Sequence, residues 1–192
     1  YSEGFENTLG AWTQSSSNDI DWTVDADGTP SSGTGPSSAT QGTYYVYVEA
    51  SGALTKQAIL NSPCFNLSGL SDANFSFKYH QYVSADMGSI NLEASDDNGA
   101  SWTSIWDSIG NLGNTWLTAD VDLSAYVGGN LQLRFNRIIG NTWQGDFAID
   151  DVSLSEGGGS TGGDGCSDGI SSFPYSEGFE NTLGAWTQSS SN

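Results

Sequence analysis

One histidine, His80, and a surplus of carboxylates are what this 192-residue chain offers for acid-base chemistry. A histidine activates a nucleophile only in a defined setting, and no serine here sits in a G-x-S-x-G turn. His80 alternates with Ser76 and Lys78 in a segment whose other face is Phe75, Phe77 and Tyr79, so it reads as a surface side chain. Hydrolysis by paired carboxylates needs two acids about 5 to 10 Å apart. Glu49 and Glu93 could form such a pair, but with 23 acids in the chain any one pair says little. No enzymatic activity is expected.

Binding chemistry has better material. Sugar sites on β proteins combine aromatic platforms with amides and carboxylates. Trp106, Trp116 and Trp143 adjoin Asp107, Asn111, Asn114, Asn141 and Gln144, while Tyr82, Asn91, Glu93 and Arg134 lie on polar strand faces. Tyr82, Trp106, Trp116, Trp143 and Asn141 are the expected ligand contacts. A second motif, Ser95 to Trp102, fits the S-x-D-x-G-x-x-W pattern of the Asp-box. Its physical content is a turn: Asp97 accepts bonds from its own loop, Gly99 takes a positive φ, and Trp102 anchors the hairpin in the core.

Four basic residues, Lys56, Lys78, Arg134 and Arg137, against those acids give a formal charge of −19. Nothing is left to neutralise phosphates, which argues against nucleic acid and anionic membrane as partners. Hard cations, held by carboxylate and carbonyl oxygens, suit such a chain. No apolar run approaches the roughly 18 residues of a membrane span, so no membrane insertion is expected. The opening Tyr-Ser-Glu-Gly has no signal-peptide character, so any export signal is expected outside it. Cys64 and Cys166 lack the spacing and the nearby histidine of a zinc site and read as disulfide material in an extracellular protein.

The elements that must position these groups follow a repeat. Residues 1–18 recur unchanged at residues 175–192, a period of 174 residues. One period holds a domain, residues 1–155, then a glycine-rich linker, 156–165, and then the start of the next unit, 166–192. Cys166 to Pro174 would precede Tyr1 in such an array, so the first domain is expected to lack about nine residues of lead-in. Cys64 then has two expected partners, the equivalent of Cys166 at the start of its own unit or Cys166 itself. The second copy of the opening motif is expected to follow the backbone course of the first.

Within the domain, alternation at Tyr45–Glu49, Asn74–Tyr82, Ser89–Ser95, Leu131–Arg137 and Phe147–Leu154 predicts half-buried strands. Turns such as Asp97-Asn98-Gly99 separate them, and no amphipathic helix is evident. The fold class is all-β, two antiparallel sheets in a jelly-roll-like sandwich.

Seven pieces in order carry a resemblance: Gly4-Phe5-Glu6, Leu9 to Gln14, Asp21-Trp22, Gly28 to Pro36, Gly42 to Ser51, Leu60-Asn61-Ser62-Pro63 and Ile149-Asp150-Asp151-Val152. Together they resemble the MAM domain across almost the whole first unit. The cysteines depart from the four usual in animal members and look like those of secreted proteins of marine Bacteroidetes, so the animal disulfide pattern does not transfer. The resemblance implies a sandwich used for adhesion, or as a module beside a catalytic domain, with no chemistry of its own. It also implies a structural cation, Ca²⁺ or more weakly Na⁺, tying the first strand to the last. Glu6, Asp150 and Asp151 would hold it, with Asp21, Asp25 and Glu49 completing the shell of oxygens. The expected role is an adhesive or structural repeat at a bacterial cell surface or in a filament, contacting neighbouring copies of itself and other surface proteins. The alternative is a carbohydrate-binding module that recognises surface glycans by avidity.

Overall fold

The computed structural model describes residues 1–156. Residues 157–192 lie outside the described residues, and with them most of the linker, Cys166 and the course expected for the second copy of the opening motif.

Among the described residues eleven strands form two antiparallel sheets. The first sheet contains β3 (Thr23–Asp25), β4 (Tyr45–Val48), β11 (Phe147–Ser155), β6 (Asn74–Gln81) and β9 (Leu117–Asp122) in that order, and β1 (Ser2–Glu3) also pairs with β11. The second runs β2 (Thr13–Gln14), β5 (Gln57–Asn66), β10 (Asn130–Ile139), β7 (Gly88–Ser95) and β8 (Thr103–Ile109). Among the described residues the only helical piece is a 3-10 turn, Ser124–Tyr126.

The sheets face each other across an aromatic core. Phe75 and Phe77 of β6 meet Phe135 of β10, and Trp12 stacks on Phe135 at 5.4 Å between ring centres. Alternation explains the placement, because inward residues of a strand recur every second position, as the burial of β10 shows most regularly. In β10 the pattern runs on to Arg137, which therefore points inward although it is a cation. Fully buried, its guanidinium donates to the carbonyls of Ser89, Met87 and Gly145. Burial lowers its pKa to about 10, so it stays charged at neutral pH.

Two departures from the alternation matter for function. In β4 all four residues are buried: Val46 and Val48 enter the main core, while Tyr45 and Tyr47 are covered on the outer face with Ala39, Trp116 and Ala148. The segment before β4 lies against that face, since the Trp116 indole donates to the Ser38 carbonyl at 2.8 Å. In β11 the register against β6 slips between Asp150 and Ser153, and Asp151 takes a positive φ of 49°. That is a β-bulge, and it separates the directions of two consecutive acids.

Candidate functional site

The acids expected to gather around a cation are instead distributed along the first sheet. Glu6, just after β1, accepts from the Thr43 and Tyr44 amides. Asp150, fully buried on β11, accepts from the Thr40 amide at 2.7 Å, the Thr40 hydroxyl and the Gln41 amide. Both therefore fasten the 40–44 segment, one at each end, and β1 does lie beside β11 as expected. Asp21 takes the Asn18 amide, Asp25 caps its own turn at the Ala26 amide, and Asp151 sits at the bulge. Among the described residues no three His, Cys, Asp or Glu side chains are grouped as metal ligands.

Glu49 is the acid that best fits a cation. One of its oxygens accepts from the Ser31 hydroxyl and the Ser51 amide, and the other is buried without a partner among the described residues. Beside it stands Asp146, fully buried, which sequence reasoning passed over because it falls in a loop. Its oxygens accept from the Thr29 and Thr34 hydroxyls and the Ala50 amide. Burial raises its pKa, the hydrogen bonds pull it down, and the charge of Glu49 adds to the rise. Asp150 is likewise raised by burial against its hydrogen bonds. Glu6 and Asp150 are crowded by N–H donors, which a cation would repel, whereas the bare oxygen of Glu49 has room for one.

His80 is not at the surface. It is 1% exposed, held between Trp116 and Tyr82, with Nε2 3.0 Å from the Asn114 side-chain oxygen and Nδ1 unpartnered among the described residues. The 110–116 loop closes over a face that alternation alone reads as wet. Glu49 follows β4 of the first sheet while Glu93 lies on β7 of the second, where Arg134 engages it, so the two are not brought together as a pair.

The expected sugar contacts separate. Trp106 packs edge-on against Phe77 and Tyr79 and belongs to the inner side, and Trp116 is taken up by Tyr45 and His80. Tyr82 is half-buried, Asn141 is exposed, and Trp143 is 51% exposed on the loop before β11. Of the three tryptophans only Trp143 is open to solvent.

A connected polar line crosses the outer face of the second sheet instead. The Arg134 side chain on β10 pairs with Glu93 on β7 and lies 4.2 Å over the Trp102 ring. The Asn136 amide donates to Glu93 at 3.1 Å, and Gln57 on β5 donates to Asn136 at 2.8 Å. Ser104 on β8 donates to Asn91 on β7. Trp102 thus sits under a guanidinium on the outer face and does not anchor the core as expected. The Asp-box turn around it is built as read. Asp97 accepts from Ser101 and Ser95, which hold its pKa down at about 2, and Gly99 has a φ of 82°. Cys64 is exposed on β5 beside this face, with no disulfide partner among the described residues.

Known proteins resemble this chain in sequence or in fold. The human MAM domain-containing glycosylphosphatidylinositol anchor protein 1 is 37% identical over 159 residues, covering 76% of the chain and 16% of the relative. The mouse anchor protein 2 is 32% identical over 177 residues, covering 80% and 18%. The chain thus spans less than a fifth of these relatives. Among solved structures, the K2 cleaved adhesin domain of Lys-gingipain superposes with a TM-score of 0.59 at 17% identity, covering 81% of this chain and 98% of that one. A carbohydrate-binding module, TmCBM61 in complex with β-1,4-galactotriose, gives 0.56 at 22% identity, covering 80% and 94%. These two likenesses show the fold. The profile of the MAM domain, meprin/A5/mu, matches residues 4–158, and with the relatives above it establishes that this chain belongs to the MAM domain family.

Proposed function

We propose that the chain is one unit, and the opening of the next, of an extracellular tandem-repeat protein at a bacterial cell surface, in which MAM domains act as non-catalytic adhesive or structural modules. The observation that carries this reading is the unchanged recurrence of residues 1–18 at 175–192. In the first copy those residues supply β1, β2 and the buried Phe5 and Trp12, a part of the sandwich without which it has no complete core. A second copy of that part is explained if another sandwich begins there. The acidic composition, and two cysteines without the spacing of a zinc site, suit an extracellular setting. Calorimetry of a chain carrying two complete units tests the repeat: each unit should melt as an independent cooperative domain. A two-unit chain that fails to fold as two domains overturns it, and antibody labelling of intact cells tests the location.

A structural Ca²⁺, or Na⁺ more weakly, belongs to this reading. Its support is the unpartnered oxygen of Glu49 next to buried Asp146, two charges that a cation would compensate. Binding only to the folded state raises the melting temperature by mass action. The midpoint should be higher in millimolar Ca²⁺ than in EGTA, and equal midpoints rule the ion out.

A second reading, carbohydrate recognition alone or beside a secreted enzyme, is favoured by the polar line across the second sheet. The bound galactotriose of the TmCBM61 structure shows that a sandwich of this fold accommodates sugars. Saturable binding of the intact chain on a glycan array supports it.

A further inference from the structure

Resting on the carbohydrate reading, we infer that the outer face of the second sheet, centred on Glu93, Arg134, Asn136 and Gln57, is a binding site for a neutral oligosaccharide. The two outer faces of the sandwich are unlike. That of the first sheet is occupied, with Tyr45 and Tyr47 buried and the 40–44 segment fastened by Asp150. On the second sheet the side chains of Glu93, Arg134, Asn136 and Gln57 find their partners within the sheet itself, and Trp102 on the adjoining hairpin lies beneath Arg134.

Three properties suit a sugar. First, the groups alternate donor and acceptor along one line: a guanidinium, a carboxylate and two amides, which match hydroxyls that donate and accept at once. Second, each side chain is held by its neighbours and stands on a strand, so little freedom remains to be lost when a ligand binds. Third, the line runs across strands. From β5 through β10 to β7 are two spacings of about 4.8 Å, roughly 10 Å or about two pyranose rings.

Charge decides the class of sugar. Arg134 is already neutralised by Glu93, and the whole chain carries −19, so uronates and sulfated sugars are repelled and neutral chains are accepted. The loop around Trp143 is the competing location, with an exposed ring but without such a network.

The test is titration of the full chain with neutral galacto-, xylo- and gluco-oligosaccharides and with their acidic counterparts. Asn136→Ala and Gln57→Ala should each weaken binding of a neutral oligosaccharide by about tenfold. Replacing Glu93 and Arg134 together by alanine, which leaves no lone charge, should abolish it, and Trp143→Ala should leave it unchanged. If the double variant does not fold by circular dichroism, the two amide variants decide. Neutral-sugar binding that survives both amide variants and is lost in Trp143→Ala overturns this location while the carbohydrate reading stands. Preference for acidic sugars overturns the charge argument, and no saturable binding of any sugar overturns both the site and the reading on which it rests.

Discussion

His80 shows how far a single residue's fate depends on what closes over it. Burial lowers its pKa below the ordinary 6.5, with the Asn114 bond opposing. A histidine depressed in the folded state stabilises above its unfolded pKa, and that stability is lost as pH falls through the folded value. Asp146 and Asp150 run the other way. Their pKa values are raised, so their contribution is present at low pH and lost as pH rises through the folded values. Comparison with a variant therefore isolates the histidine. Between about pH 7.5 and about pH 5 the melting temperature of His80→Gln should fall less than that of the wild type. Parallel curves would show that His80 does not titrate in this range.

At the level of strands, the shortest ones carry disproportionate weight. β1 and β2 have two residues each, yet the connection between them delivers Phe5 and Trp12 into the core against Phe135 and Phe75. Trp12→Ala should cost about 3 to 5 kcal/mol, read from the urea midpoint, because the space between two sheets cannot collapse around the missing ring. A loss under about 1 kcal/mol would mean that this connection is not part of the cooperative unit.

The same elements show what sequence could reveal. Strands with one dry face, such as β7 and β10, were legible because period-two alternation is a direct imprint of burial. β5 was not, since Pro63 and Cys64 interrupt its pattern, and β4 was misread as half-buried because alternation does not show that the segment just before it and the sequence-distant Trp116 cover its outer face. For the candidate sites the division is similar. Glu93 and Arg134 were recognisable as polar face residues, but that they meet depends on the β7–β10 register, in which they stand opposite each other. Asp146 had no periodic context, and only the folded loop places it beside Glu49.

The whole molecule is dominated by its charge. With −19 and a single ion pair among the described residues, repulsion opposes the compact state, and its long-range part is screened within about 8 Å at physiological salt. Sodium chloride should therefore raise the melting temperature between low and physiological ionic strength. Ca²⁺ at equal ionic strength should raise it further if Glu49 and Asp146 hold an ion, and equal shifts for the two salts would assign the whole effect to screening.

The pairing of β1 with β11 has a mechanical side. Tyr1 and Leu154 exchange both backbone hydrogen bonds, so the start of β1 and the end of β11 lie side by side as antiparallel neighbours. Tension applied across this pair, at Tyr1 and at Ser155, pulls two antiparallel neighbours apart from their shared end, loading their bonds one after another rather than all together. Such a domain peels open like a zip at low force, beginning with β1 and then exposing the Phe5 and Trp12 connection. A polypeptide built from it would yield under strain and shorten again when released, absorbing work before any covalent bond is threatened.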